Sequence, residues 1–139
     1  MTKVDSRIRK GARFSKQVQA SVKATQAKAN EVVRKTALGV LANVVTASPV
    51  DTGRFRGNWQ VGIAERPAGT VEAEDKDGSG TISREGAKLE GVELGDTVFI
   101  TNNLPYARRI EFGWSQQAPK GVVRTTLAQL DEILEEAAK

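Results

Sequence analysis

The 139-residue chain contains no His and no Cys, so any chemistry falls to carboxylates, Lys and hydroxyls. Without His it lacks the commonest general base and the commonest metal ligand. Without Cys it has no thiolate chemistry and no disulfide framework. Carboxylates do serve glycosidases, so the acids are the residues to weigh. The clustered ones fall in two groups, Glu72–Asp77 in the middle and Asp131, Glu132, Glu135 and Glu136 near the end, where solvated charge is the expected role. Glu111 differs, because it stands among Tyr106, Phe112 and Trp114. Burial there would raise its pKa; the simpler expectation is an ion pair with Arg54, Arg56 or Arg124. The acidic, Gly-rich run around Gly78 lacks the spacing of an EF-hand loop. No Gly-rich phosphate loop and no metal-ligand spacing is present. The reading is no catalytic residue, no cofactor and no metal.

The cations offer a second kind of chemistry. Arg54, Arg56, Arg108 and Arg109 lie near Phe55, Trp59 and Tyr106, and aromatics interleaved with cations can stack bases. One reading is therefore a nucleic-acid-binding module using the basic N-terminal half. The net charge of +4 hides a strong asymmetry: residues 1–66 hold 13 Lys/Arg against 4 Asp/Glu, and residues 67–139 hold 8 against 13. Such a division invites head-to-tail pairing between copies, or one face turned to nucleic acid. Lys3, Arg7, Arg9 and Lys10 at one end, and Asp131, Glu132 and Glu135 at the other, are the candidate interaction residues.

These groups are positioned by a chain that changes character at Ser48–Trp59. Pro49 stops a helix and pushes Ser48 out of the helical region. Asp51-Thr52-Gly53 then favours a sharp turn, with Asp51 bonding the backbone downstream and Gly53 accepting positive φ. Upstream, residues 1–12 read as a mobile basic arm. From Arg13 to Ala47 the residues Phe14, Val18, Val22, Ala29, Val32, Val33, Val40, Leu41, Val44 and Val45 recur at helical spacing. Such a helix is longer than the domain needs, so one end is expected to project or to pack on another subunit.

Downstream, alternation over Phe55–Ile63 reads as a half-buried strand. Residues 67–95 read as a flexible loop, with a short helix over 81–89 and Ser83 as its N-cap. Asp96–Thr101 reads as a second strand. Pro105 starts one or two helical turns with Tyr106, Ile110 and Phe112 facing inward. A last helix runs from about Gly121 to Ala138 on Val123, Leu127, Leu130, Leu134 and Ala137. Its acids then fall at the unfavourable end of the macrodipole. The fold class is α+β in a single domain over 13–139: a long N-terminal helix, a small antiparallel sheet and a C-terminal helix. No stretch has the ~18 apolar residues of a membrane span. With no apolar run behind the first cations, the protein is expected to be soluble, intracellular when made, and without membrane partners.

Several motifs stand in a fixed order: Pro49-Val50-Asp51-Thr52-Gly53-Arg54-Phe55-Arg56, Asn58-Trp59, Asn102-Asn103 before Pro105-Tyr106-Ala107, Ile110-Glu111-Phe112-Gly113, and Ala118-Pro119-Lys120-Gly121-Val122-Val123-Arg124. The ordered set, over about residues 30–138, resembles the neck, head-tail joining and tail completion proteins of tailed bacteriophages. The resemblance implies a non-enzymatic α+β subunit of the virion neck or tail, put together in the host cytoplasm. It implies contacts with other copies in a ring of six, with neighbouring neck or tail proteins, and in passing with DNA in the lumen. It also implies a structural role for Pro49, Asp51, Gly53, Arg54, Arg56, Trp59, Tyr106, Glu111, Gly113 and Arg124.

Overall fold

The structure, a computed structural model, describes residues 3–139, with side chains from Lys10 onward. Helix α1 spans Lys3–Ala47, 45 residues, or about 67 Å at 1.5 Å per residue. It begins ten residues ahead of the expected start at Arg13, so residues 3–12 continue the helix and do not form a separate segment. The only break signal there was Gly11, and a single glycine costs a helix only about 1 kcal/mol. The helix ends at Ala47, just before Ser48-Pro49, where the proline stops it.

Among the described residues, only the C-terminal part of α1 packs on the rest of the chain. Leu41, Val44 and Val45 are buried, with Val33 and Ala37 packed beside them, whereas residues 10–28 are exposed throughout. The apolar stripe is thus helical over its whole length but meets a core over only one half.

Beyond Gly53 the expected strand is shortened. Residues 56–58 make a 3-10 turn, in which Gly57 N–H donates to the Gly53 carbonyl at 2.9 Å and Asn58 N–H to that of Phe55 at 3.1 Å. Strand β1 is Trp59–Ile63. It pairs antiparallel with β2, Val98–Asn102, in the register Trp59↔Asn102 to Ile63↔Val98. The turn sets Phe55 edge-on to Trp59, with ring centroids 5.8 Å apart.

The segment 67–95 differs most from the expectation of a flexible loop. It carries α2, Ser79–Gly86, followed by a 3-10 turn at Ala87–Leu89, and it buries Thr81, Glu85, Leu89 and Val92. Its helix starts at Ser79, so Ser83 is an interior residue and not the N-cap. Asp75 satisfies the free helix donors instead: its carboxylate accepts from Gly78 N–H, Thr81 N–H and the Thr81 hydroxyl at 2.7–3.1 Å.

Helix α3 is Ala107–Glu111. The C-terminal helix is divided at Gln129 (φ −100°, ψ 6°) into α4, Val123–Ala128, and α5, Leu130–Ala138. The division reverses one expectation. Asp131 and Glu132 lie in the first turn of α5, where the helix dipole favours them. Helix α5 runs back along α1, with Asn43 Nδ2 donating to Gln129 Oε1 at 3.1 Å. Further along, Ile133 fills the space that a side chain at Gly39 would need. The core thus lies between the last third of α1, the two strands, the 79–92 segment and α3–α4.

Candidate functional site

The motif residues converge on the joint where α1 gives way to β1 and where α3 gives way to α4. Trp59 is 4 % exposed, and its indole N–H donates to Ser48 Oγ at 2.7 Å. That hydroxyl in turn donates to the Val44 carbonyl, so one chain of bonds joins the end of α1 to the start of β1. Arg56 works on the same helix end. Its guanidinium donates to the carbonyls of Thr46, Ser48 and Lys76 at 2.6–3.1 Å. A cation on the last carbonyls of a helix satisfies groups without intrahelical partners and complements the dipole.

Gly53 has φ +89°, and a Cβ there would come within 2.6 Å of the Asp75 backbone nitrogen. The motif glycine therefore supplies both a left-handed turn and room for the backbone of Asp75 and Lys76. The turn's side-chain bond comes from Thr52, whose hydroxyl accepts from Arg54 N–H at 3.2 Å. Asp51, expected in that role, is exposed, as is Arg54. Pro49 opens a shallow cleft of about 240 Å³ that is also lined by Tyr106, Ile110 and Trp114. Gln117 closes one side: its amide accepts from Val50 N–H at 2.8 Å and donates to the Val50 carbonyl at 3.1 Å.

Glu111 sits at the second half of the joint. Its carboxylate accepts from the backbone N–H groups of Val122, Val123 and Arg124 at 2.7–2.9 Å. It also accepts from Arg124 Nε at 3.2 Å, and the Arg124 guanidinium donates to the Glu111 carbonyl. Of the three arginines weighed as partners, Arg124 is the one it meets. The carboxylate caps the N-terminus of α4 from a different segment, where orphan amides and the dipole favour an anion. Burial pushes its pKa up, but the three amides and Arg124 outweigh this and hold it below the usual glutamate range. That is the wrong direction for a general acid at neutral pH. Gly121, at φ +84°, stands where any Cβ would collide with Glu111. Gly113, at φ +87°, takes the left-handed turn after α3.

A more deeply buried carboxylate escaped the sequence reading. Glu85 is 1 % exposed and accepts from Val61 N–H at 2.8 Å, while Arg84 and Lys88 reach it at 2.7 Å. Burial opposes its ionisation, but Lys88, Arg84 and the Val61 amide prevail, and its pKa is lowered. The available signal was Lys88 three residues on, at helical spacing. Gln117 had no signal at all, because its partner is remote in sequence.

The base-stacking arrangement is not assembled as expected. Phe55 and Trp59 are buried, and Tyr106 is half-buried with its ring 6.2 Å from that of Phe55. Phe112, expected inside, is 67 % exposed between the guanidiniums of Arg108 and Arg124, at 5.8 and 5.4 Å. Among the candidate interaction residues, Lys10, Asp131, Glu132 and Glu135 are exposed. Lys3, Arg7 and Arg9 lie on α1, but their side chains are outside the described residues, as are Met1 and Thr2 altogether. Among the described residues no group of acids gathers in a metal-binding arrangement, and no helix is long and apolar enough to cross a membrane.

Residues 12–113 match the sequence profile of a family described as "Bacteriophage HK97-gp10, putative tail-component". The match takes in the joint up to Gly113 and stops short of α4 and α5. No curated protein and no solved structure was found to match the chain.

Proposed function

The chain belongs to the HK97-gp10-like family of phage tail components, and from that premise we propose that it is a structural subunit of the virion, completing the tail or joining tail to head as part of a ring. It acts through binding energy alone, without catalysis. Its partners are other copies of itself, six to a ring, and the neck or tail proteins stacked on either side. The DNA passes through the lumen, and the subunit is assembled in the host cytoplasm.

The observation that carries this reading is how the motif side chains are used. Glu111, Arg56 and Trp59 spend their bonding capacity on the chain's own backbone and on Ser48. What remains for partners is surface of opposite sign at the two ends of the sequence. A subunit with unlike ends favours head-to-tail contacts, which close into rings when the rotation permits.

Deleting the gene in its parent phage and examining lysates by electron microscopy tests the proposal. Full heads beside unattached, overlong or unfinished tails are expected. Normal infectious particles would overturn it. The second reading, a free nucleic-acid-binding module, draws on the exposed cations of residues 10–28. It requires duplex or single-strand binding with a log–log salt slope of about −0.9 or −0.7 per phosphate contacted.

A further inference from the structure

Residues 10–28 of α1 are helical and rest on nothing among the described residues. Phe14, Val18 and Val22 are 67, 44 and 49 % exposed, and their spacing of four puts them on one face. Lys10, four residues before Phe14, and Lys28, six after Val22, border that stripe. Residues 10–28 hold five cations and no carboxylate.

The C-terminal helices present the complement. Leu127 of α4 and Leu134 of α5 are exposed, and Asp131 and Glu135 are exposed on α5. Helix α5 holds four carboxylates and no cation. Asp131 and Glu135 form no ion pair among the described residues. The chain's own arm cannot cover this face. Helix α5 lies against the far end of α1, with Ile133 at Gly39 and Glu136 near Lys35. Phe14 is 21 residues before Lys35 on the same helix, about 31 Å away at 1.5 Å per residue.

We propose that residues 10–28 of one copy dock on the α4–α5 face of a second copy, with Phe14, Val18 and Val22 against Leu127 and Leu134, and the cations of the arm set against the carboxylates of α5. The occupant is a second copy because a single sequence carries both the basic arm and the acidic helix. Each subunit offers one arm and one receiving face, so the contact is heterologous and passes from copy to copy. This inference rests on the self-association named under the proposed function and assigns it to two surfaces.

Charge exchange tests it. One variant carries Lys10→Glu, Lys16→Glu and Lys23→Glu; the other carries Asp131→Lys, Glu132→Lys and Glu135→Lys. Self-association is followed by sedimentation velocity up to the solubility limit, and thermal melting checks that each variant folds. Wild-type protein is expected to associate. Each variant alone should associate about tenfold more weakly or worse, since like charges then face each other. An equimolar mixture should recover, because each variant supplies the face that the other now fits.

A third variant, Phe14→Ser with Val18→Ser, should weaken association without changing the melting temperature. Wild-type protein that stays monomeric, variants that associate as the wild type does, or weakened variants that do not recover on mixing would each overturn the proposal. So would an arm variant that loses only retention on duplex DNA, which would give the arm to nucleic acid. Copies that associate through these faces, while phage lacking the gene still builds normal particles, would overturn the tail assignment and leave this contact standing.

Discussion

The two halves of α1 have the same periodicity and opposite fates. Over residues 33–47 every turn meets a partner: Leu41 and Val45 are fully buried, Arg34 donates to the Val92 carbonyl at 2.7 Å, and Arg56 holds the last carbonyls. Over residues 10–28 the same repeat of apolar residues meets nothing in the chain. Helical spacing therefore predicts conformation equally well in both halves but predicts burial in only one. The difference lies in what folds back. Segments 79–92 and 123–138 return to the C-terminal half of α1, and among the described residues none returns to residues 10–28.

The contrast is tested most severely at the joint. Trp59→Ala removes a buried ring and the donor to Ser48, and large aromatic-to-alanine changes in a core cost about 3–5 kcal/mol. Urea unfolding should show that loss, and a cost under about 1 kcal/mol would mean that the joint is not the anchor described here. Glu85→Ala is next. It leaves Val61 N–H without its acceptor inside the protein, at an expected cost of about 1–3 kcal/mol. Arg84 and Lys88 add little to that figure, because both can turn to water.

How much of this was legible in the sequence depends on the reach of each signal. Pro49, Gly53 and the helical stripe act locally, and the stop, the turn and the helix are found where those residues place them. The long-range partnerships were not legible. Glu111 was singled out for its aromatic neighbours, yet its role is set by amides eleven to thirteen residues away. Segment 67–95 reads as loop because its buried residues are few and scattered among Gly and acids. The Asp75 N–H on the Gly53 carbonyl and the Glu85 carboxylate on Val61 N–H draw it inward through bonds that no periodicity reports. Gly39, inside the helical stripe, is the seat of Ile133, which no local signal announces.

The acid response of the joint is a smaller effect with a definite sign. Glu111 has its pKa held below the ordinary 4.5, so the fold prefers its ionised form. Its contribution is complete above the unfolded-state value and is lost as pH falls through the lowered folded-state value. Glu85 and Asp75 shift in the same direction and add to the loss. Glu111→Gln keeps the shape of the cap but not its charge, and should cost about 0.5–2 kcal/mol at pH 7. Its stability should then fall less steeply than the wild type's below pH 4.5. Parallel acid-unfolding curves for the two proteins would show that the cap does not depend on its charge.

The smallest expected effect bears on the comparison most directly. Phe14 is 67 % exposed and packs on no core, so Phe14→Ser should change the stability of the dilute protein by no more than about 0.5 kcal/mol. Isolated helices of this length are marginal in water, because most helical stability in proteins comes from packing. Amides of residues 10–28 should therefore exchange through local fraying, far faster than those of residues 40–47, which open only with the core. If both halves were equally protected in dilute protein, the N-terminal half would have a partner already, and the two ends of α1 would differ only in which molecule covers them. If protection of residues 10–28 instead rises with concentration while residues 40–47 stay unchanged, the missing partner is another copy. The bare stripe would then be a core completed only on assembly.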